Sequence, residues 1–137
     1  MKIKRGFEKI SYETWKKTVG NDTTLEQDYN DIMMPVRKTK KSAGYDICSA
    51  VSFTLLPGES KKVPTGLKAY MQDGEYLGMH IRSSMAVKKR IMLVNNVGII
   101  DADYYNNADN EGHIMLALLN TGDEALALPK GECVAQG

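Results

Sequence analysis

The chain is poor in the residues that mark specialised scaffolds. Among its 137 residues there are two cysteines, Cys48 and Cys133, and two histidines, His80 and His113. Such a small set fits neither a disulfide framework nor a zinc-ligand spacing, so reduced, structural thiols and structural or surface histidines are expected. Charge of one sign is also lacking, because 18 Lys+Arg stand against 17 Asp+Glu and leave a formal net charge of +1. That balance gives no global field for gripping duplex nucleic acid or an anionic membrane. Long apolar runs are missing too: Ile114 to Leu119 and Val97 to Ile100 fall far short of the roughly 18 to 20 residues that span a bilayer. The basic start Met1 to Arg5 leads into Glu8 and Lys9 rather than an apolar stretch, which does not read as a secretory signal, and cytoplasmic residence is expected. What is present, 42% apolar and 26% charged residues, is the composition of one globular domain.

Two textures divide the chain. Residues 1–32 hold the only Trp, a polar stretch at Gly20-Asn21-Asp22, and apolar residues Phe7, Ile10, Trp15 and Val19 spaced loosely like one helical face. Thr23-x-x-Glu26 resembles a capping box for a second short helix. An irregular arm packing its Trp and Phe on the main body is the alternative, since spacings of three, five and four match a helix imperfectly. Pro35 closes this extension, and Arg37, Lys38, Lys40 and Lys41 read as a solvated connection. Residues 33–137 form the second unit, in which short strands alternate with turn residues from about residue 42, the pattern of an all-β sandwich or barrel. Ser52 to Leu56, Val63 to Met71, Glu75 to Ile81, Ile91 to Val94, Val97 to Ile100, Ile114 to Leu119 and Leu126 to Leu128 are the expected strands. A short helical turn fits only Ser83 to Lys88. The methionines, Met33, Met34, Met79, Met85, Met92 and Met115 among them, are expected as core fillers.

Four segments are more polar than strand packing requires. Arg82-Ser83-Ser84 follows a strand and offers a guanidinium fork, two hydroxyls and the N–H groups of a helical start, which suits phosphate oxygens but equally a capped turn with a surface Arg. Ala43-Gly44-Tyr45-Asp46-Ile47 sets one carboxylate in an apolar strand, where it needs a partner, turn backbone, or the waters of a Mg²⁺ ion. In Val97 to Tyr104 an apolar run ends in Asp101 and Asp103, which alternation along an extended chain places on one side, so that one could act as general base and the other brace the loop. A calcium loop fails there on spacing, since counting from Asp101 puts Tyr105, Asn106 and Gly112 at the fifth, sixth and twelfth positions. Asn95-Asn96 reads as a hairpin turn whose amides could also meet a nucleobase edge, and Gly131 to Gln136 mixes a turn with a buried-looking pair and an amide.

In this order the segments resemble the homotrimeric deoxyuridine triphosphatases. Ser42 to Ile47 resembles the first family motif, Arg82-Ser83-Ser84 the second, Asn95 to Tyr104 the third and Gly131 to Gln136 the fourth, so the resemblance runs from about residue 33 to the end. The loop Tyr105 to Gly112 resembles versions from Gram-positive bacteria and their phages. The resemblance implies a distorted jelly-roll barrel, all-β, assembled as a trimer with active sites at subunit boundaries, to which residues 1–32 add a small extension packed on the main body. It implies dUTP as substrate, Mg²⁺ as cofactor and Asp101 as the residue that deprotonates the water attacking the α-phosphorus. Asp46 would then contact metal-bound water; Arg82, Ser83, Ser84 and Gln136 would hold phosphate oxygens; Tyr104 would lie against the deoxyribose; and Asn95, Gly98 and Ile100 with the adjoining backbone would read uracil. Cys133 stands where the family usually has Arg, and the sequence ends at Gly137 without the family's Gly-rich fifth motif, so a C-terminally shortened chain is expected. Competing readings are a noncatalytic dUTP-binding sensor or regulator-binding module, and a dCTP deaminase of the same superfamily.

Overall fold

The computed structural model describes residues 4–20 and 24–137. Eleven strands are present among the described residues, with three short helices and one 3₁₀ turn. In chain order they are β1 (Gly6–Lys9), α1 (Tyr12–Val19), α2 (Leu25–Asn30), β2 (Asp46–Cys48), β3 (Phe53–Leu55), β4 (Ser60–Pro64), β5 (Leu67–Tyr70), β6 (Tyr76–Ile81), α3 (Ser83–Val87), β7 (Ile91–Leu93), β8 (Gly98–Asp101), the 3₁₀ turn Ala102–Tyr104, β9 (Met115–Asn120), β10 (Leu126–Leu128) and β11 (Cys133–Gln136). A four-stranded sheet in the order β2-β11-β6-β8 and a three-stranded sheet β4-β9-β7 carry the body, with the pairs β1-β5 and β3-β10 at its margins. All pairings are antiparallel. The all-β, jelly-roll-like expectation is met, and so is the helical turn at α3.

Period-two alternation explains why these residues form these sheets. On β9 Leu116, Leu118 and Asn120 point inward, while Ile47, Met79, Val134 and Ala135 from the four-stranded sheet meet them in one buried cluster. The buried Asn120 is satisfied, because its amide donates to the carbonyls of Leu55 and Glu124 and accepts from Gly122 N–H, fixing the turn after β9. Met79 and Met85 fill this core, whereas Met33 and Met34 are about half exposed and do not.

Several expectations are corrected. The single strand expected over Val63 to Met71 is two, broken at Thr65-Gly66 because Gly66 takes a positive φ of 73° and turns its N–H to the His113 ring. Asn95-Asn96 is a turn but not a hairpin: β7 pairs with β9 and β8 with β6, so the turn carries the chain between sheets. Asp101 and Asp103 do not alternate along one strand, since the chain enters the 3₁₀ turn after Asp101. The expected free thiols are joined, Cys48 to Cys133, because both lie at paired positions of neighbouring strands.

The N-terminal segment is neither one helix nor an irregular arm. Phe7 lies on β1, which pairs with β5 in the register Phe7↔Ala69, and only then does α1 begin. Ser11 caps α1 by accepting from Thr14 N–H at 3.2 Å. Trp15 is fully buried with Ile10 and Ala50, and its indole N–H donates to Leu25 O at 2.9 Å. The second helix is present at Leu25–Asn30; Thr23, the expected cap residue, lies outside the described residues. Lys130 fastens α2 to the turn before β11 through Asp28 and Asp31.

Candidate functional site

The predicted site residues fall into two clusters. Around β11, Gln136 pairs with Asp46 on one side and His80 on the other, which puts these three side chains in one row on the outer face of the four-stranded sheet. Gln136 and His80 are exposed and Asp46 is half-buried. Among the described residues no side chain lies within hydrogen-bonding reach of the Asp46 carboxylate. Its own N–H donates to Val36 O, so strand pairing alone holds it. Arg82 ends β6 in extended conformation, donates its N–H to Val134 O at 3.0 Å and directs one guanidinium N–H to Cys133 O at 2.7 Å. Among the described residues the other four guanidinium donors have no partner and can meet a ligand. Ser83 and Ser84 form the first turn of α3 immediately beyond. An open cleft of about 490 Å³ lined by Ala43, Gly44, Tyr76, Gly78, His80, Gln136 and Gly137 runs beside this cluster. A more apolar cleft of about 380 Å³, lined among others by Phe7, Met34, Tyr45 and Leu77, contains none of the predicted site residues.

The second cluster is built on β8 and the turns at its ends. Asn95 is exposed in the turn before β8; Gly98 faces Met79 across the ladder; Asp101 is exposed at the strand end opposite Tyr76. Ile100 packs against the main core, which limits any part it plays in a ligand site to its backbone. That backbone is available, because among the described residues β8 is the edge of its sheet and pairs with β6 alone, leaving N–H and C=O groups on its open side. Among the described residues the Asp101 carboxylate has no protein partner within hydrogen-bonding distance. Asp101 and Asp46 are far apart in one chain: His80 and Tyr76, their neighbours on β6, are four residues apart and three strand spacings separate β2 from β8, so the carboxylates lie on the order of 20 Å from each other.

Tyr104 is held quite differently. Its hydroxyl donates to His113 O at 3.1 Å and accepts from Asn110 Nδ2 at 2.7 Å, while its carbonyl accepts from Asn107 Nδ2 at 2.7 Å. The following loop is tied to the N-terminal segment by Glu111, whose carboxylate accepts from Ser11 N–H and from the Ser11 and Thr14 hydroxyls and pairs with Lys68 at 2.8 Å. Burial pushes the Glu111 carboxyl upward, but Lys68, Ser11 and Thr14 outweigh it and hold the group at about 2. His113 is buried, and desolvation, partly countered by the Glu111 charge, lowers it to about 4. As a neutral ring its Nε2 accepts from Gly66 N–H. Sequence reasoning missed Asn107, Asn110 and Glu111 as supports; the Asn-rich loop ending in Gly112 was the available signal, since Asn side chains bond loop backbone readily.

Comparison with known proteins places these features in context. A family model described as dUTPase matches residues 30–136. A deoxyuridine 5'-triphosphate nucleotidohydrolase from Lactococcus lactis is 55% identical over 106 residues, covering 77% of this chain and 71% of that protein. The crystal structure of a dUTPase from Streptococcus mutans superposes with a TM-score of 0.77 at 42% identity, covering 96% of this chain and 91% of the other. A mutant dUTPase from phage phi11 of S. aureus, whose structure concerns coordination of a structural Mg(II) ion, shares the fold with a TM-score of 0.64 at 23% identity, covering 76% of this chain and 79% of the other.

Proposed function

This chain belongs to the dUTPase family, and from that premise we propose that it hydrolyses dUTP to dUMP and pyrophosphate at sites made by bringing the two clusters together from different copies of the chain. The observation that carries the residue assignment is the separation of Asp46, Gln136 and Arg82 from Asp101 and Tyr104 within one chain. A triphosphate and its sugar cannot reach both clusters across some 20 Å of sheet, but they can where the edge strand of one copy meets the outer face of another. A homotrimer supplies that meeting, and exposed apolar residues near β8, namely Val97, Ile99 and Tyr76, support a surface that is covered on assembly.

In this arrangement Arg82, with the hydroxyls of Ser83 and Ser84, binds phosphate oxygens, and Gln136 donates to the α-phosphate region. The open edge of β8 with Asn95 offers N–H and C=O groups to the uracil edge, which rejects cytosine because the mismatched pairing would leave buried polar groups unsatisfied. Tyr104 packs against the deoxyribose and leaves no space for a 2′-hydroxyl. Asp101, exposed and without a protein partner among the described residues, accepts the proton of a water whose oxygen attacks the α-phosphorus, and the bond to the β-phosphate breaks to release pyrophosphate. Asp46 fits Mg²⁺ as a single oxygen ligand or a holder of its waters, and no group of three acidic, His or Cys side chains gathers into a metal cage among the described residues. When bound, that ion supplies neutralisation of phosphate charge. A nucleotide substrate goes with a cytoplasmic setting.

Substituting Asp101→Asn tests the assignment. Turnover, followed by pyrophosphate release, should fall by roughly 10²- to 10⁴-fold while dUTP affinity measured by calorimetry is kept. Unchanged pyrophosphate release would remove Asp101 as the base, and a wild-type chain that binds dUTP without turning it over would favour the sensor reading.

A further inference from the structure

The loop Tyr105 to Gly112 does more than connect β8 to β9. Its hydrogen bonds form a closed set around Tyr104 in which every donor and acceptor role is forced. The His113 carbonyl only accepts, so the Tyr104 hydroxyl must donate its proton there. Gly112 N–H only donates, so it fixes Asn110 Oδ1 as acceptor at 3.1 Å and turns Asn110 Nδ2 toward the lone pairs of the Tyr104 oxygen at 2.7 Å. Asn107 closes the set from the other side, donating to Tyr104 O and Asn110 Oδ1 and accepting the N–H groups of Asp109 and Asn110. Gly112 itself sits at a φ of 89° with its backbone against Tyr104 O, where a Cβ would come within 2.7 Å, so the loop is wrapped tightly on the tyrosine.

We propose that Asn110 is a positioning residue for sugar discrimination: by donating to the Tyr104 hydroxyl it fixes the ring that excludes a 2′-hydroxyl, and Glu111 anchors that support to the N-terminal segment. The proposal rests on the reading of Tyr104 as the sugar-facing residue. The anchor has a physical basis in the Glu111 carboxylate at the N-terminus of α1, where it meets Ser11 N–H, two hydroxyls and Lys68, so residues near position 11 are mechanically connected to the substrate pocket.

The test uses Asn110→Ala, which removes the donor to Tyr104, alongside Tyr104→Phe, which deletes the hydroxyl together with its bonds to Asn110 and to His113 O and keeps the ring. Turnover of dUTP and UTP is measured for the wild type, both variants and the double variant. Asn110→Ala should shrink the dUTP:UTP ratio of kcat/KM by roughly threefold to tenfold, the value of one hydrogen bond, and Tyr104→Phe by at least as much, with the dUTP effect in KM rather than kcat. In that ratio the double variant should match Tyr104→Phe, because the Asn110 donor has no acceptor once the hydroxyl is gone. An unchanged ratio in Asn110→Ala, or single effects that multiply in the double variant, overturns the proposal. These failures differ from failure of the underlying reading: a wild-type chain that does not distinguish dUTP from UTP removes Tyr104 from its role and the proposal with it, whereas a discriminating wild type with indifferent variants removes the proposal alone.

Discussion

Asp46 and Gln136 in the first cluster and Tyr104 in the second are positioned by opposite means. Asp46 and Gln136 are placed by the β2-β11-β6 ladder through backbone bonds, and their side chains stand free among the described residues. Tyr104, by contrast, is placed by side chains: Asn107, Asn110 and, at one remove, Glu111 with Ser11, Thr14 and Lys68. The difference follows from what each must meet. Groups that bind phosphate and metal-bound water keep their hydrogen-bonding capacity for the ligand, while a ring that works by shape gains from having its freedom removed beforehand. Stability and function should therefore separate at Asp46 and Gln136 and travel together at Tyr104.

The largest expected effect is on stability at acid pH. His113, at about 4 in the fold against 6.5 unfolded, is neutral when buried, so the unfolded chain binds more protons between those values and stability falls as pH drops from 6.5 to 4. Glu111, at about 2 against 4.5, adds a loss that starts below 4.5 and is complete as pH passes 2. Each contributes on the order of 3 kcal/mol, so denaturant midpoints measured at pH 7 and pH 4 should differ clearly, and Glu111→Gln should flatten the lower part of the profile. A flat profile from pH 7 to 4 breaks the claim that the Tyr104 region depends on a buried neutral His113.

Next in size, Glu111→Ala should lower stability by about 2 kcal/mol, since Lys68, Ser11 and Thr14 lose a shared, half-buried partner. It should also weaken sugar discrimination, and thermal melting together with UTP turnover checks both. Tyr104→Ala should admit UTP, reducing discrimination by about tenfold, or ~1.4 kcal/mol. At the first cluster Asp46→Ala should shift stability by less than about 0.5 kcal/mol while raising the Mg²⁺ concentration needed for half-maximal rate. A large drop in melting temperature for Asp46→Ala would erase the contrast between the clusters.

Much of this architecture is legible in the residues. Gly, Pro and Asn punctuate the chain so regularly that most strands of the body, and α3, follow from turn chemistry and alternation. Arg82-Ser83-Ser84 at a strand-to-helix junction, Asp46 on a strand and Asp101 at a strand end are also readable locally. Contacts between distant segments are not. β1 is four residues long and gains its strand character from β5, some sixty residues on, so Gly6–Lys9 carries too little pattern to declare itself. Thr65-Gly66 breaks an apolar run because of His113, and Cys48 meets Cys133 only once β2 and β11 pair. Glu111 reads as a loop carboxylate until α1 brings Ser11 and Thr14 to it. Propensity is local, whereas these positions are decided by tertiary pairing.

The most direct measurement is pyrophosphate release from dUTP in the presence of Mg²⁺, with dCTP, dTTP and UTP run in parallel. The account predicts turnover of dUTP in marked preference to the other three. Equal turnover of all four, release of ammonia from dCTP, or no release from any of them would contradict it.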